Sequence, residues 1–174
     1  MILGLDISTS ITGLAVVDVG GKLVYTDHID TRKLKNIFAK AESVKTGLIN
    51  IKQTYKIDRI VIEQPFVFFN SGGSSAKTMA TLQRFNGMVS WIASQVFSLE
   101  PDYIGASEAR KLCGIKIRRG QNTKKIVLEA VLDMEPTFEV EYTRHGNPKA
   151  GYFDRADGVV LAKAGFTQCQ IIKN

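Results

Sequence analysis

Two carboxylates interrupt segments of the chain that otherwise have the character of buried strands. Asp6 lies within the apolar segment 2–7, and Glu63 ends the apolar segment 59–63. Burying a carboxylate is costly unless it is paired or bound to a metal. If the two strands are neighbours, their backbones lie about 4.8 Å apart, and the two acids could share a divalent cation. Each acid also has a simpler explanation: Asp6 as the cap of the turn at 8–10, and Glu63 as a solvated acid at a strand end.

A second pair of acids, Asp154 and Asp157, lies near the start of the last predicted helix. Their i, i+3 spacing places them on one face of that helix. Acids at a helix start also complement the helix dipole, which is the alternative explanation. Four acids from three separated segments favour a metal centre, because Mg²⁺ takes oxygen ligands and keeps several waters. Two such ions about 4 Å apart can activate a water and stabilise the leaving oxygen of a phosphodiester.

The charge distribution points to a polyanionic partner near these acids. The net charge is +6, from 23 Lys and Arg against 17 Asp and Glu. Residues 109–128 contain no acid and carry seven basic residues, here called the basic strip: Arg110, Lys111, Lys116, Arg118, Arg119, Lys124 and Lys125. Residues 129–157 reverse the balance with an excess of acids. This pattern indicates phosphate binding beside a carboxylate cluster, or alternatively a solvated charged surface.

Hydrophobic periodicity predicts the element order βββαβαβααα. The predicted strands are 2–7, 12–19, 22–29, 59–63 and 102–106, with a hairpin turn at 20–21. The predicted helices are 34–55, 76–96, a short one capped by Ser107 and ending near Gly114, one capped by Thr123 that reaches residue 134, and 153–164. This is an α/β fold with a mixed five-stranded sheet and helices on both faces. Ligands of such sheets gather at the carboxyl ends of the parallel strands.

Length and composition set the class of protein. The 174 residues, 44% hydrophobic and 23% charged, suit one globular domain covering residues 1–174. We find no stretch near the roughly 18 apolar residues of a membrane span, and no basic segment typical of a signal peptide. Cys113 and Cys169 are far apart and form no CxxC motif. We therefore expect a cytoplasmic protein without a membrane partner.

Three motifs now carry a family resemblance. The segment Ile-Leu-Gly-Leu-Asp-Ile-Ser-Thr-Ser-Ile-Thr-Gly at 2–13 resembles the opening strand of the RuvC-type Holliday-junction resolvases, within the ribonuclease H-like superfamily. The segment Ile-Val-Ile-Glu-Gln-Pro-Phe at 60–66 is similar to that family's second acidic motif. Residues 154–162 are similar to its C-terminal D-x-x-D-x-x-x-x-A helix. The three motifs come in family order and the resemblance covers nearly the whole chain.

The resemblance implies a homodimeric, Mg²⁺-dependent endonuclease that makes paired nicks in four-way DNA junctions during recombination and repair. It implies that Asp6, Glu63, Asp154 and Asp157 are the catalytic metal ligands, with two Mg²⁺ ions per site and Mn²⁺ as a substitute. Phe66 matches a family position whose ring wedges between bases, although a core position is the alternative. The implied location is the cytoplasm of a bacterial or phage-infected cell.

This sequence also departs from the family pattern. Ile7 and Ser8 stand where the family has Pro-Gly, and the loop after Glu63 carries an unusual aromatic cluster that begins at Phe66. Such departures suit a divergent, phage-type member, and they leave selectivity among four-way junctions, forks, flaps and RNA open. A non-catalytic DNA-binding module is the other alternative, but four acids beside phosphate would only weaken binding. Residues 4–10 also resemble the phosphate loop of actin-like sugar kinases, whose second nucleotide loop this chain lacks.

Overall fold

A computed structural model describes residues 1–65 and 76–173. Its strands are β1 (Ile2–Asp6), β2 (Ile11–Val17), β3 (Leu23–Asp30), β4 (Arg59–Glu63) and β5 (Asp102–Ile104). Its helices are α1 (Ile37–Thr54), α2 (Ala76–Phe97), α3 (Ala106–Leu112), α4 (Thr123–Met134) and α5 (Tyr152–Lys173). The predicted order of elements is confirmed. No helix in the described ranges is long and apolar enough to cross a membrane.

The five strands form one mixed sheet in the order β3-β2-β1-β4-β5. The β1–β2 and β2–β3 pairs are antiparallel, whereas β1–β4 and β4–β5 are parallel. As a result, β1, β3, β4 and β5 all end at one edge of the sheet, which we call the carboxyl edge: Asp6, Asp30, Glu63 and Ile104 are its strand ends. The predicted fold class, a mixed five-stranded sheet with helices on both faces, is confirmed.

Each face of the sheet has its own hydrophobic core. Alternate strand residues such as Leu3, Leu5, Ile60 and Ile62 point to one face, where they are buried beneath α1 and α2. Ile2 and Val61 belong to the opposite core, which α3, α4 and α5 cover. This alternation follows from the two-residue period of a strand. It decides which face each strand-end carboxylate occupies.

Several predicted boundaries are wrong. The structure begins α1 at Ile37 rather than at residue 34, ends β2 at Val17 rather than at 19, and ends β5 at Ile104 rather than at 106. Gly105, not Ser107, is the N-cap of α3, and Ser107 lies inside that helix. Asn122, not Thr123, caps α4, since its side chain accepts a hydrogen bond from the Lys125 backbone. The last helix extends to residue 173 rather than ending near 164.

A tertiary contact explains why α5 continues through Gly165, a residue that disfavours helix. A Cβ on Gly165 would lie 2.6 Å from the Val61 side chain, so the helix needs glycine there to lie close to the sheet. The Arg59 guanidinium donates a 2.6 Å hydrogen bond to the Gly165 carbonyl. Helix propensity alone gives no sign of these contacts.

Candidate active site at the carboxyl edge

Asp6 and Glu63 lie side by side at the ends of two neighbouring parallel strands. The register pairs Leu5 with Ile62, so Asp6 and Glu63 come next on their strands. Since Leu5 and Ile62 face α1 and α2, strand alternation turns the two acids to the α5 face. Both side chains are partly exposed. The two strands are neighbours, which is the condition stated above for the two acids to share a cation.

The turn after Asp6 is stabilised by Ser8 rather than by Asp6. The Ser8 hydroxyl accepts hydrogen bonds from the backbone N–H groups of Ser10 and Ile11, at 3.2 and 3.0 Å. It also donates to the Ile11 carbonyl at 2.7 Å. The role of turn cap, one explanation offered for Asp6, therefore belongs to Ser8. The Asp6 carboxylate is left to face the other acids.

Glycines let α5 approach the sheet until its backbone touches the strands. A Cβ on Gly4 would lie 2.3 Å from the Gly158 carbonyl oxygen, and one on Gly13 would lie 1.8 Å from the Asp154 carbonyl oxygen. Real Cβ atoms do not come this close, so any side chain at either strand position would push the helix away. Gly13 is the β2 partner of Asp6. The first turn of α5 is thereby fixed beside Asp6.

The first two turns of α5 bring the second pair of acids to the same place. Asp154 lies in the first turn, and Asp157 lies nearly one turn later, on the same face as its i, i+3 spacing predicts. Both side chains are partly exposed. The site thus collects one acid from β1, one from β4 and two from α5.

The four acids interact electrostatically. Burial raises the pKa of Asp6 well above its usual range, and the charges of Asp157, Glu63 and Asp154 raise it further. Burial also raises the pKa of Asp157, to about 7, with contributions from the charges of Glu63 and Asp154. The pKa of Glu63 is raised by burial. Such a cluster of negative charge favours a bound cation, because a cation replaces repulsion by attraction.

The charges of two residues of the basic strip act on the four acids. The charges of Lys124 and Arg110 lower the pKa values of Glu63 and Asp157, and Lys124 also lowers that of Asp6. Lys124 stands at the start of α4, and Arg110 near the end of α3. Among the seven residues of the basic strip, the sequence alone does not distinguish these two.

The other five strip residues lie on α3, on the segment between α3 and α4, or in the first turn of α4. Lys111 and Lys116 join Arg110 around a surface cavity of about 350 Å³, which Ser107 and Thr123 also line. The remaining three are exposed on the flanking loop and the start of α4: Arg118, Arg119 and Lys125. The strip thus covers α3, the segment after it and the start of α4, all of which follow the end of β5.

The donor set fits a hard divalent cation in its chemistry. All four groups supply carboxylate oxygens, and Mg²⁺ needs only one or two protein carboxylates because it retains waters. Within residues 1–65 and 76–173, no three His, Cys, Asp or Glu side chains are arranged to hold a metal ion. Mutually repelling carboxylates stay apart without a cation, so binding would have to draw them together.

Sequence reasoning missed one buried residue beside the site. Asn86 of α2 is 5% exposed, and its side-chain amide donates a 3.4 Å hydrogen bond to the Glu63 carbonyl. The Ser90 hydroxyl, also buried, donates to the Asn86 side chain at 3.4 Å. Two buried polar residues on a face predicted to be apolar are the signal that could have identified this support of the β4 end.

Phe66 lies outside the described residues.

In sequence and in fold, this chain is similar to RuvC-type resolvases. No protein-family model matches the chain. Two curated relatives are both named Crossover junction endodeoxyribonuclease RuvC. The protein from Geotalea uraniireducens is 36% identical over 78 residues, which are 43% of this chain and 44% of that relative. The protein from Bacteroides fragilis is 25% identical over 171 residues, 97% of this chain and 82% of that relative.

A solved structure agrees in fold over the whole domain. T. thermophilus RuvC in complex with Holliday junction substrate superposes with a TM-score of 0.70 at 13% identity, covering 98% of this chain and 94% of that one. At this identity the match establishes the fold. The resemblance to RuvC-type resolvases, inferred above from three motifs, is confirmed by these comparisons.

Proposed function

We propose that this protein is a structure-selective endodeoxyribonuclease that resolves four-way DNA junctions by paired phosphodiester hydrolysis. One observation carries the proposal: strand register and the close approach of α5 bring carboxylates from β1, β4 and α5 to the carboxyl edge, where the charges of Lys124 and Arg110 act on them. Acids alone would repel DNA. Acids beside cations at a strand-end crevice suit a phosphate group that is to be hydrolysed rather than merely bound.

We assign the cation-binding role to Asp6, Glu63, Asp154 and Asp157. When bound, Mg²⁺, or Mn²⁺ in its place, would lower the pKa of a water nucleophile and stabilise the leaving oxygen, with two ions as the arrangement that serves both atoms. The chain's own residues supply the rest. The glycine contacts hold α5 against β1 and β2, and Asn86 holds the end of β4. Lys124 and Arg110 attract the scissile phosphate and offset the negative charge it gains during attack.

The substrate proposal draws on the relatives. Both curated relatives are named as crossover junction enzymes, and the solved complex contains a Holliday junction. The basic strip gives this chain the means to contact the backbone of such a substrate, since phosphate contacts supply most nonspecific affinity for DNA. Phe66 stays a prediction: its ring would stack on a base at the junction centre.

We further propose a homodimer, because two symmetric cuts need two active sites related by a two-fold axis. A groove of about 510 Å³ between α1 and α2 is lined by Phe38, Met88, Trp91 and Ile92, among others. Phe38 is 70% exposed and Trp91 66% exposed. Aromatic side chains of this size are typical of interface centres, where their burial contributes most. The groove faces away from the α5 side, so a second copy there leaves the carboxyl edge open.

A substrate panel tests the proposal. Labelled four-way junction, fork, flap, duplex and RNA–DNA hybrid are incubated with the protein in Mg²⁺, in Mn²⁺ and in EDTA, and the cuts are mapped. We expect metal-dependent, symmetric cuts near the centre of the four-way junction. Preferential cutting of forks, flaps or RNA would change the proposed substrate and leave the assignment of the active site unchanged. Absence of metal-dependent cutting on every substrate would overturn the proposal.

A further inference from the structure

A second basic segment lies at the carboxyl edge, on the side opposite the basic strip. Residues 31–40 connect β3 to the first turn of α1 and contain no acid. Their four basic residues, here called the second strip, are Arg32, Lys33, Lys35 and Lys40. Lys33 and Lys35 are exposed, and in the described part of the chain their side chains form no hydrogen bond or ion pair. Nothing in the catalytic site described above uses this positive charge.

The sheet order places the two strips next to opposite outer strands of the sheet. The second strip follows β3, and the basic strip follows β5, which are the two outer strands of the sheet. Between these outer strands lie β1 and β4, which end in Asp6 and Glu63. With neighbouring strands about 4.8 Å apart, β3 and β5 are separated by about 19 Å. The two strips therefore begin on opposite sides of the strands that carry these two acids.

Hydrogen bonds hold the second strip against the turn that follows Asp6. The buried Thr31 donates from its hydroxyl to the Thr9 carbonyl at 3.0 Å, and from its backbone to the Ser10 carbonyl at 2.9 Å. The Lys40 ammonium donates to the same Thr9 carbonyl. The charges are therefore presented by an ordered segment attached to the catalytic strand, and little conformational entropy is lost when they meet a ligand.

Arg32 links this segment to the carboxylates. Its guanidinium is held by Asp30 through hydrogen bonds of 2.5 to 3.1 Å, and both side chains remain substantially exposed. The pKa of Arg32 is raised chiefly by Asp30 and, more weakly, by the charge of Asp154. Together with the hydrogen bonds of Thr31 to the turn after Asp6, this places the second strip at the acid-bearing edge of the sheet.

We propose that the second strip binds the DNA backbone on the far side of the cut from the basic strip, so that the two strips hold different arms of a branched substrate. This inference rests on the proposed function. A strand whose scissile phosphate lies at the acid cluster must leave the site in both directions. One direction leads to the basic strip, and the other leads to Lys33 and Lys35. Two fixed contacts on either side of the cut favour a bent, branched substrate over a straight duplex, since they constrain the angle between its arms.

Two double variants with the same loss of charge test the proposal. Lys33→Gln/Lys35→Gln removes the two unpaired charges of the second strip. Lys22→Gln/Lys56→Gln removes two exposed charges at the opposite edge of the sheet and serves as the control. Binding to a synthetic four-way junction is measured in EDTA across a salt series. We expect the first variant to bind at least tenfold more weakly at 0.1 M salt and to lower the salt slope by about two, and the control to match wild type.

Hydroxyl-radical footprinting of the bound junction then shows which arm each strip protects. Lys33→Gln/Lys35→Gln should lose protection on one side of the cut, and Lys111→Gln/Lys116→Gln on the other. An unchanged salt slope, a loss equal to the control's, or loss of the same arm in both variants overturns the inference while wild-type binding and cleavage stand. If wild type neither binds nor cuts any branched DNA, the proposed function fails, and this inference fails with it. Thermal melting checks that all three variants are folded.

Discussion

On one face of the sheet, α5 lies so close to β1 and β2 that Gly4 and Gly13 stand at the contacts. On the other face, α1 and α2 pack through large side chains such as Leu5 and Phe85, and they leave Trp91 exposed on their outer side. Backbone contact on the first face fixes the position of the helix that carries Asp154 and Asp157 relative to the strands that carry Asp6 and Glu63. Side-chain packing on the second face builds stability and leaves an apolar surface for another molecule.

The comparison separates two tasks that need different packing. A helix that carries carboxylates to a metal site benefits from close contacts that leave its backbone little freedom to shift. A helix pair that offers a docking surface needs only a stable base and an exposed aromatic. Damage to the α5 face should therefore impair chemistry first, and damage to the α1–α2 groove should impair assembly first.

The largest effect should come from the acids themselves. Asp6→Asn, Glu63→Gln and Asp157→Asn should each lower cleavage by about a thousandfold or more, as expected when several kcal/mol of cation-assisted stabilisation is lost. Junction binding should persist, and it should strengthen in EDTA because repulsion of the phosphates is removed. Quench-flow cleavage and gel-shift titration measure the two effects. Glu129→Gln on the exposed surface of α4 is the control, and near wild-type cleavage by Asp6→Asn would refute the assignment.

A smaller effect is expected from the glycine that seats α5. Gly13→Ala should push the first turn of α5 outward, lower cleavage by about a hundredfold and cost about 1–3 kcal/mol of unfolding free energy. Denaturant unfolding and single-turnover cleavage measure both. Gly87→Ala is the matched control: it lies in α2 with no atom within 4 Å of the added Cβ, so it should stabilise by up to about 1 kcal/mol. If Gly13→Ala cleaves as well as Gly87→Ala, the positioning role of the close approach is wrong.

The groove on the other face should control assembly. Trp91→Ala should weaken dimerisation by about 30-fold, which corresponds to a loss of about 2 kcal/mol at an interface centre. Sedimentation velocity over a concentration series gives the dissociation constant. Tyr103→Ala removes an exposed aromatic side chain on β5 and should leave the dissociation constant of the dimer unchanged. A wild-type monomer at micromolar concentration that still makes both cuts in one binding event would contradict the dimer.

The smallest effect is expected at Phe66, three residues after Glu63 in the sequence. Phe66→Ala should slow cleavage of an intact four-way junction by a little more than tenfold, because stacking on an unpaired base contributes about 1–3 kcal/mol. A junction with bases already unpaired at its centre should be cut at nearly the wild-type rate. Thermal melting distinguishes a core residue, since a mutant that melts much earlier and loses activity equally on both substrates would identify Phe66 as part of the core.

Sequence patterns predicted the element order and the four acids because strand and helix periods are local properties. They did not predict the cap of α4 at Asn122 or the continuation of α5 through Gly165, which depends on its contact with Val61. They also could not distinguish Lys124 from its neighbours. The second strip was visible as a run of charge, but its importance depends on β3 lying at the outer edge of the sheet, a consequence of long-range strand pairing.

The central claim is that the acids at the carboxyl edge form a cation site, and crystals grown with Mn²⁺ test it most directly. Anomalous scattering from Mn²⁺ locates the ion without reference to activity. We expect an anomalous peak in contact with Asp6 and Glu63, with Asp154 or Asp157 drawn toward it relative to metal-free crystals. Under conditions in which Mn²⁺ supports cleavage, the absence of a peak among these four residues would contradict the account.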